Sequence, residues 1–185
     1  SNYVDWTDRS TCVLFGDGAG AALLECSDDS DQGILNARLK ADGSGWEYIV
    51  VRDGGSAHPY QAGHMANRKP PVLEMKGKKV YAFAVKILPE ILQSLVDEAG
   101  ITMDDVKWIV PHQANGRIIS AAANQMRIPE SRFFMNLEQR ANTSSASIPI
   151  ALYELEAQGG LARGDLVAVV GFGSGLTSAG ALIRW

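Results

Sequence analysis

Residues 106–126 read VKWIVPHQANGRIISAAANQM, and this stretch decides the fold class. The apolar run Val106–Val110 predicts a short buried strand. A helix is expected over Arg117–Met126, after a short polar link that holds His112. The same unit recurs further on. A strand is predicted at Phe133–Met135, a helix at Ser144–Gln158, a strand at Leu166–Val170 and a closing strand at Ala179–Trp185. Upstream, Val80, Ala84, Ile87, Ile91, Leu92, Leu95 and Val96 recur at three- and four-residue steps, the spacing of one helical face. This predicts a helix over 78–99, kinked at Pro89 and ended by Gly100. Strands alternating with helices imply a layered α/β fold.

The amino-terminal part is less regular. Residues 11–26, TCVLFGDGAGAALLEC, read as a hairpin turning at Asp17-Gly18. GILNARLK, residues 33–40, reads as a further strand. Residues 41–73 are rich in Gly and Pro, and loops of that length are usually functional or mobile.

Composition narrows the class. The chain has 185 residues, 46% of them hydrophobic and 21% charged, with a net charge of −4. That is a soluble globular composition, and the charge gives no reason to expect nucleic-acid binding. No apolar run reaches the roughly 18 residues of a membrane span, and no signal peptide is visible. The two cysteines, Cys12 and Cys26, make no disulfide framework, so a reducing, cytoplasmic setting is expected. The chain opens Ser1-Asn2-Tyr3 without Met, which leads us to expect that sequence once preceded it.

Three segments fall in equivalent places. His112 follows the strand WIV, separated only by Pro111. Asn142 lies in a loop after FFM and before a helix. Gly171-Phe172-Gly173-Ser174-Gly175 follows LVAVV. Open α/β sheets bind ligands beyond the carboxyl ends of their strands. If the strands are parallel, the three segments converge. An imidazole and a carboxamide each offer a hydrogen-bond donor, and a Gly-rich turn exposes backbone N–H groups. Donors aimed at a developing oxyanion are typically worth about 3–4 kcal/mol each, or roughly 10²–10³ in rate. This chemistry requires no metal or cofactor. Position alone is weak support, because a single His or Asn in a loop is more often structural.

Other readings are poorer. Gly16-Asp17-Gly18-Ala19-Gly20 suggests a nucleotide loop, but such a loop must open a helix, and AALLE reads as strand. His58 and His64 lack the neighbouring ligands of a metal site.

Taken in order, the motifs resemble those of the ketoacyl-acyl-carrier-protein synthase III family. They are Thr7-Asp8-Arg9-Ser10-Thr11, Phe15-Gly16-Asp17-Gly18-Ala19-Gly20-Ala21, His112-Gln113-Ala114-Asn115 with Arg117-Ile118-Ile119, Asn142 to Pro149, and Gly171 to Thr177. Plant-type polyketide synthases carry Pro-Gly-Gly after the His. Thiolases use a second Cys near the Gly-rich end, and elongating synthases use a second His where Asn142 stands. The resemblance implies a thiolase-like αβαβα fold of two stacked halves, with residues 1–32 the last strands of the first half and 33–185 the second.

The resemblance also implies roles. His112 and Asn142 would hold the malonyl thioester carbonyl, and the backbone N–H of Ser174 would be an oxyanion donor where Gly is commoner. Phe172 would form the active-site wall. Arg9 would stack on the CoA adenine, and Gly77 and Asn115 would line the pantetheine tunnel. Gln113, Ala114, Asn115, Gly116 and Arg117 would meet the acyl carrier protein. Lys78, Ala82, Asn124 and Ser178 depart from common family residues. The substrates would be acyl-CoA and malonyl-acyl carrier protein, with no cofactor. The complete enzyme would be a homodimer, and its nucleophilic Cys would lie in a half absent from this chain. Cys12 sits in an apolar run and Cys26 precedes acidic residues, so neither suits that role. The alternatives are a specialised synthase III-like acyltransferase of secondary metabolism and a non-catalytic scaffold. Three retained chemical motifs argue against a scaffold.

Overall fold

The computed structural model describes residues 1–29, 32–59 and 71–185. The strands are β1 (Gly33–Ala41), β2 (Ile49–Val51), β3 (Leu73–Met75), β4 (Trp108–Pro111), β5 (Leu166–Gly173) and β6 (Thr177–Arg184). The helices are α1 (Gly77–Ala99), α2 (Gly116–Met126), α3 (Leu137–Arg140) and α4 (Ser147–Ala157). The main sheet has the order β1-β6-β5-β4. β4 and β5 are parallel, while β6 runs antiparallel to both β5 and β1. β2 and β3 form a small antiparallel pair.

Alternation along the strands builds two cores. Ile109 of β4 and Ala168 and Val170 of β5 pack with α1 and α2. Val110 and Val167, one residue out of phase, pack with Ala151 and Leu155 of α4 on the other face. The result is three layers, helix–sheet–helix. The apolar stripe of α1 is buried as its spacing predicts, with Ala84, Leu88, Ile91, Leu92 and Leu95 fully covered. α1 crosses β6 so closely that a Cβ at Gly180 would stand 2.5 Å from Ile91 Cγ2. Gly100 closes the helix in the left-handed conformation (φ 67°), where glycine is unstrained. The helix runs without interruption through Pro89.

Two expectations are corrected. Residues 11–26 form no hairpin: they hold turns and irregular chain, with one parallel bridge between Phe15 and Asn142. Their apolar residues are not a buried strand face, since Leu23 is 90% exposed and Leu24 78%. Apolar runs make a strand only where a partner supplies the ladder. Among the described residues, that partner is the Asn142 loop at a single point. Phe133–Met135 likewise forms one parallel bridge, Phe133 to Ile109, rather than a strand. Its apolar content reflects burial of Phe133 and Phe134, one in each core.

Candidate active site

β4, β5 and the Phe133 bridge share one direction, so the segments leaving them reach the same end of the sheet. There a cleft of about 1360 Å³ is lined by His112, Asn142, Phe172 and Ser174, together with Gly77 and Asn115. Ala114, Arg117 and Lys78 also line it.

His112 continues the β4–β5 pairing by one residue, its N–H donating to Val170 O at 2.8 Å. Its Nδ1 lies 2.6 Å from Ser147 Oγ. Phe172 meets the ring edge-on, with centroids 5.5 Å apart at 74°. Burial pushes the imidazole pKa down to about 4, because a low-dielectric site disfavours the cation. The ring is therefore neutral at pH 7. Nε2 has no hydrogen-bond partner among the described residues.

Asn142 is 9% exposed. Its N–H donates to Leu14 O (3.0 Å), and its carbonyl accepts from Gly16 N–H (2.9 Å). The side-chain Oδ1 accepts from Ser144 N–H at 2.9 Å. That bond fixes the orientation of the amide and leaves Nδ2, a donor, without a partner among the described residues. Ala141 (φ 59°) and Ser144 (φ 56°) both adopt positive φ, which is uncommon away from glycine.

The GDGAG segment holds this loop from behind. A Cβ at Gly16 would lie 2.7 Å from Arg140 O, one at Gly18 would lie 2.9 Å from Ile150 Cδ1, and one at Gly20 would lie 2.6 Å from Pro149 Cγ. Alternate residues thus turn bare backbone toward the Asn142 loop and the first turn of α4. The glycines are there for close packing, and no helix follows them to make a nucleotide site.

Ser174, at the β5–β6 turn, donates its hydroxyl to Ile49 O at 2.7 Å. Glycine there could not make this tether to β2. Asn115 caps α2, its Oδ1 accepting from Arg117 N–H at 2.9 Å. Arg117 is exposed at the cleft, and Gly116 opens α2 outside the lining. Arg9 is exposed and lies outside the lining, though its neighbour Ser10 belongs to it.

Gln113 is a correction. It is fully buried, so it cannot contact a docked protein. Its amide donates to Pro111 O (2.9 Å) and Phe134 O (3.1 Å), and its Oε1 accepts from Asn136 N–H (3.1 Å). Alternation places 113 inward and satisfies every end of its amide. Sequence reading also passed over Ser147. Pro149, which is tolerated in a helix's first turn, could have marked the helix start and so placed Ser147 beside the cleft.

Cys12 is half-buried and Cys26 exposed, and neither lines the cleft. His58 is exposed, and His64 lies outside the described residues. No cluster of potential metal ligands occurs among the described residues. No described helix is long and apolar enough to cross a membrane.

Helices on both faces of a mixed sheet, with these side chains gathered at one end of it, define a thiolase-like α/β protein. The sequence matches two family models: 3-oxoacyl-[acyl-carrier-protein] synthase III over residues 1–43, and the C-terminal model of the same synthase over 96–185. The chain is 41% identical to the beta-ketoacyl-[acyl-carrier-protein] synthase III of Brucella canis over 189 aligned residues. It is also 41% identical to that of Clostridium beijerinckii over 185. Each alignment covers 100% of this chain and 56% of the relative, so the chain spans little more than half the length of these proteins. The crystal structure of 3-oxoacyl-[acyl-carrier-protein] synthase III from Aquifex aeolicus superposes with a TM-score of 0.87 at 39% identity, over 99% of this chain and 54% of that one. The chain belongs to the 3-oxoacyl-[acyl-carrier-protein] synthase III family.

Proposed function

We propose that this chain supplies the malonyl-binding side of a beta-ketoacyl-acyl-carrier-protein synthase III. The enzyme would join an acyl-CoA primer to malonyl-acyl carrier protein and so begin fatty acid synthesis in the cytoplasm. The division falls near residue 32, with residues 33–185 the second half of a homodimeric enzyme. A complementary segment provides the nucleophilic Cys. One observation carries the reading: His112 and Asn142 line one cleft, each with a ring or amide nitrogen that no other described residue occupies.

Acyl-CoA transfers its acyl group to the Cys sulfur, and CoA leaves as the thiol. Malonyl thioester then binds with its carbonyl oxygen against His112 and Asn142. As the carbon–carboxylate bond breaks, its electron pair forms the enolate, whose oxygen takes the negative charge. A neutral imidazole and a carboxamide stabilise that charge as donors, without net proton transfer. The enolate carbon attacks the acyl-enzyme carbonyl, the Ser174 N–H supports the tetrahedral oxyanion, and the Cys thiolate departs. Phe172 walls the site. Gly77 and Asn115 border the pantetheine arm, Arg9 stacks on adenine, and Ala114, Gly116 and Arg117 face the carrier protein. The names of the curated relatives favour this role over a specialised one in secondary metabolism, although the priming beta-ketosynthase of the R1128 polyketide pathway also superposes, with a TM-score of 0.81 at 35% identity.

In the complete enzyme, His112→Ala and Asn142→Ala should each cut malonyl decarboxylation by roughly 10²–10³ while sparing acylation of the Cys. Labelled acyl-CoA reports acylation, and released carbon dioxide reports decarboxylation. Near-normal carbon dioxide release from either variant would overturn the assignment.

A further inference from the structure

We propose that Ser147 is a positioning residue that holds His112 as the Nε2–H tautomer, so that the ring faces the cleft as a hydrogen-bond donor. The consequence for catalysis rests on the function proposed above; the tautomer itself does not.

Ser147 opens α4 and is 2% exposed. Two contacts involve its hydroxyl oxygen among the described residues. The backbone N–H of Gln113 donates to it at 3.3 Å, and His112 Nδ1 lies 2.6 Å away. The first contact uses Oγ as an acceptor. The hydroxyl proton then has one acceptor within reach, the Nδ1 lone pair, so the ring proton must sit on Nε2. In the reverse arrangement Nδ1–H would donate to Oγ. The oxygen would then accept twice, and its buried proton would face nothing. Leaving such a donor unsatisfied disfavours that arrangement by roughly ten- to hundredfold. It would also turn a lone pair toward the cleft, where a developing oxyanion would be repelled.

The surroundings keep the choice rigid. The amide of Gln113 is tied on three sides, to Pro111, Phe134 and Asn136, which immobilises the N–H aimed at Ser147. Phe172 fixes the plane of the imidazole. The ring is uncharged at neutral pH, so it carries one proton and the tautomer is a real choice. The buried Gln113 therefore acts on the site through Ser147.

The test uses the complete enzyme with ¹⁵N-labelled histidine, His112→Gln serving to assign the signal. Two-bond ¹H–¹⁵N spectra report which ring nitrogen is protonated. The wild type should show the Nε2–H form of His112. Ser147→Ala, close to isosteric, should move the tautomer ratio about tenfold toward Nδ1–H. An Nδ1–H signal in the wild type, or an unchanged ratio in Ser147→Ala, overturns the proposal. Decarboxylation measured on the same variant separates the two readings. A tautomer shift without slower carbon dioxide release supports the positioning role of Ser147 but refutes the role proposed for His112.

Discussion

Lowering the pH from 7 to 4 should destabilise the folded protein through His112 in particular. The native imidazole titrates near 4 against an ordinary value of 6.5. Between those values the unfolded chain binds a proton that the native state refuses. Stability therefore rises with pH across the window. The penalty is absent above 6.5, grows as the pH falls, and is complete below about 4. Its full size is about 3 kcal/mol, at about 1.4 kcal/mol per pH unit. That is a sizeable share of the roughly 5–15 kcal/mol that holds a typical domain together. The assay compares urea midpoints of the complete enzyme and its His112→Gln variant across this range. Carboxylates titrate in both proteins and cancel in the difference, so the wild type should lose stability faster on acidification. NMR titration of His112 gives the direct value. A midpoint near 6.5, or parallel pH profiles for the two proteins, would refute the burial argument.

Arg117→Glu should lower kcat/KM for the carrier-linked substrate far more than for acyl-CoA, since charge reversal mainly slows association with an acidic partner; equal losses would remove Arg117 from the docking surface. Gly20→Val forces a Cβ to 2.6 Å from the rigid ring of Pro149. It should cost about 1–3 kcal/mol and slow decarboxylation by moving the Asn142 loop, so unchanged thermal stability and carbon dioxide release would show that the close packing is unimportant. Residues 1–185 expressed alone should self-associate, because Leu23, Leu24 and Leu39 are at least 78% exposed. Light scattering from a monodisperse monomer would count against that expectation.

Periodicity made the helices legible. The stripe from Val80 to Val96 and the turn at Gly100 follow from local spacing and backbone conformation. The convergence of His112, Asn142 and Phe172 was also readable, because each follows an apolar run and the runs share a direction. Two things were not readable. The apolar runs in 11–26 cannot reveal whether a partner strand exists, and the glycines there looked like a turn when they serve close packing. The inward face of Gln113 depends on which way the chain leaves β4. A polar residue beside His112 reads as surface until its three hydrogen bonds are seen.

The position of β6 bears on how the polypeptide is made. Thr177–Arg184 lies between β1 and β5, pairing Gly33 with Arg184 on one side and Leu166 with Arg184 on the other. Among the described residues, β1 therefore has no partner in the sheet until Thr177–Arg184 has been synthesised. During translation the early strand must wait, exposed, while more than a hundred later residues emerge. Such long-range pairing is slow and prone to aggregation. Ribosome-bound chains stopped before Thr177 should accordingly be open to protease along β1, and emergence of β6 should close the sheet in one step.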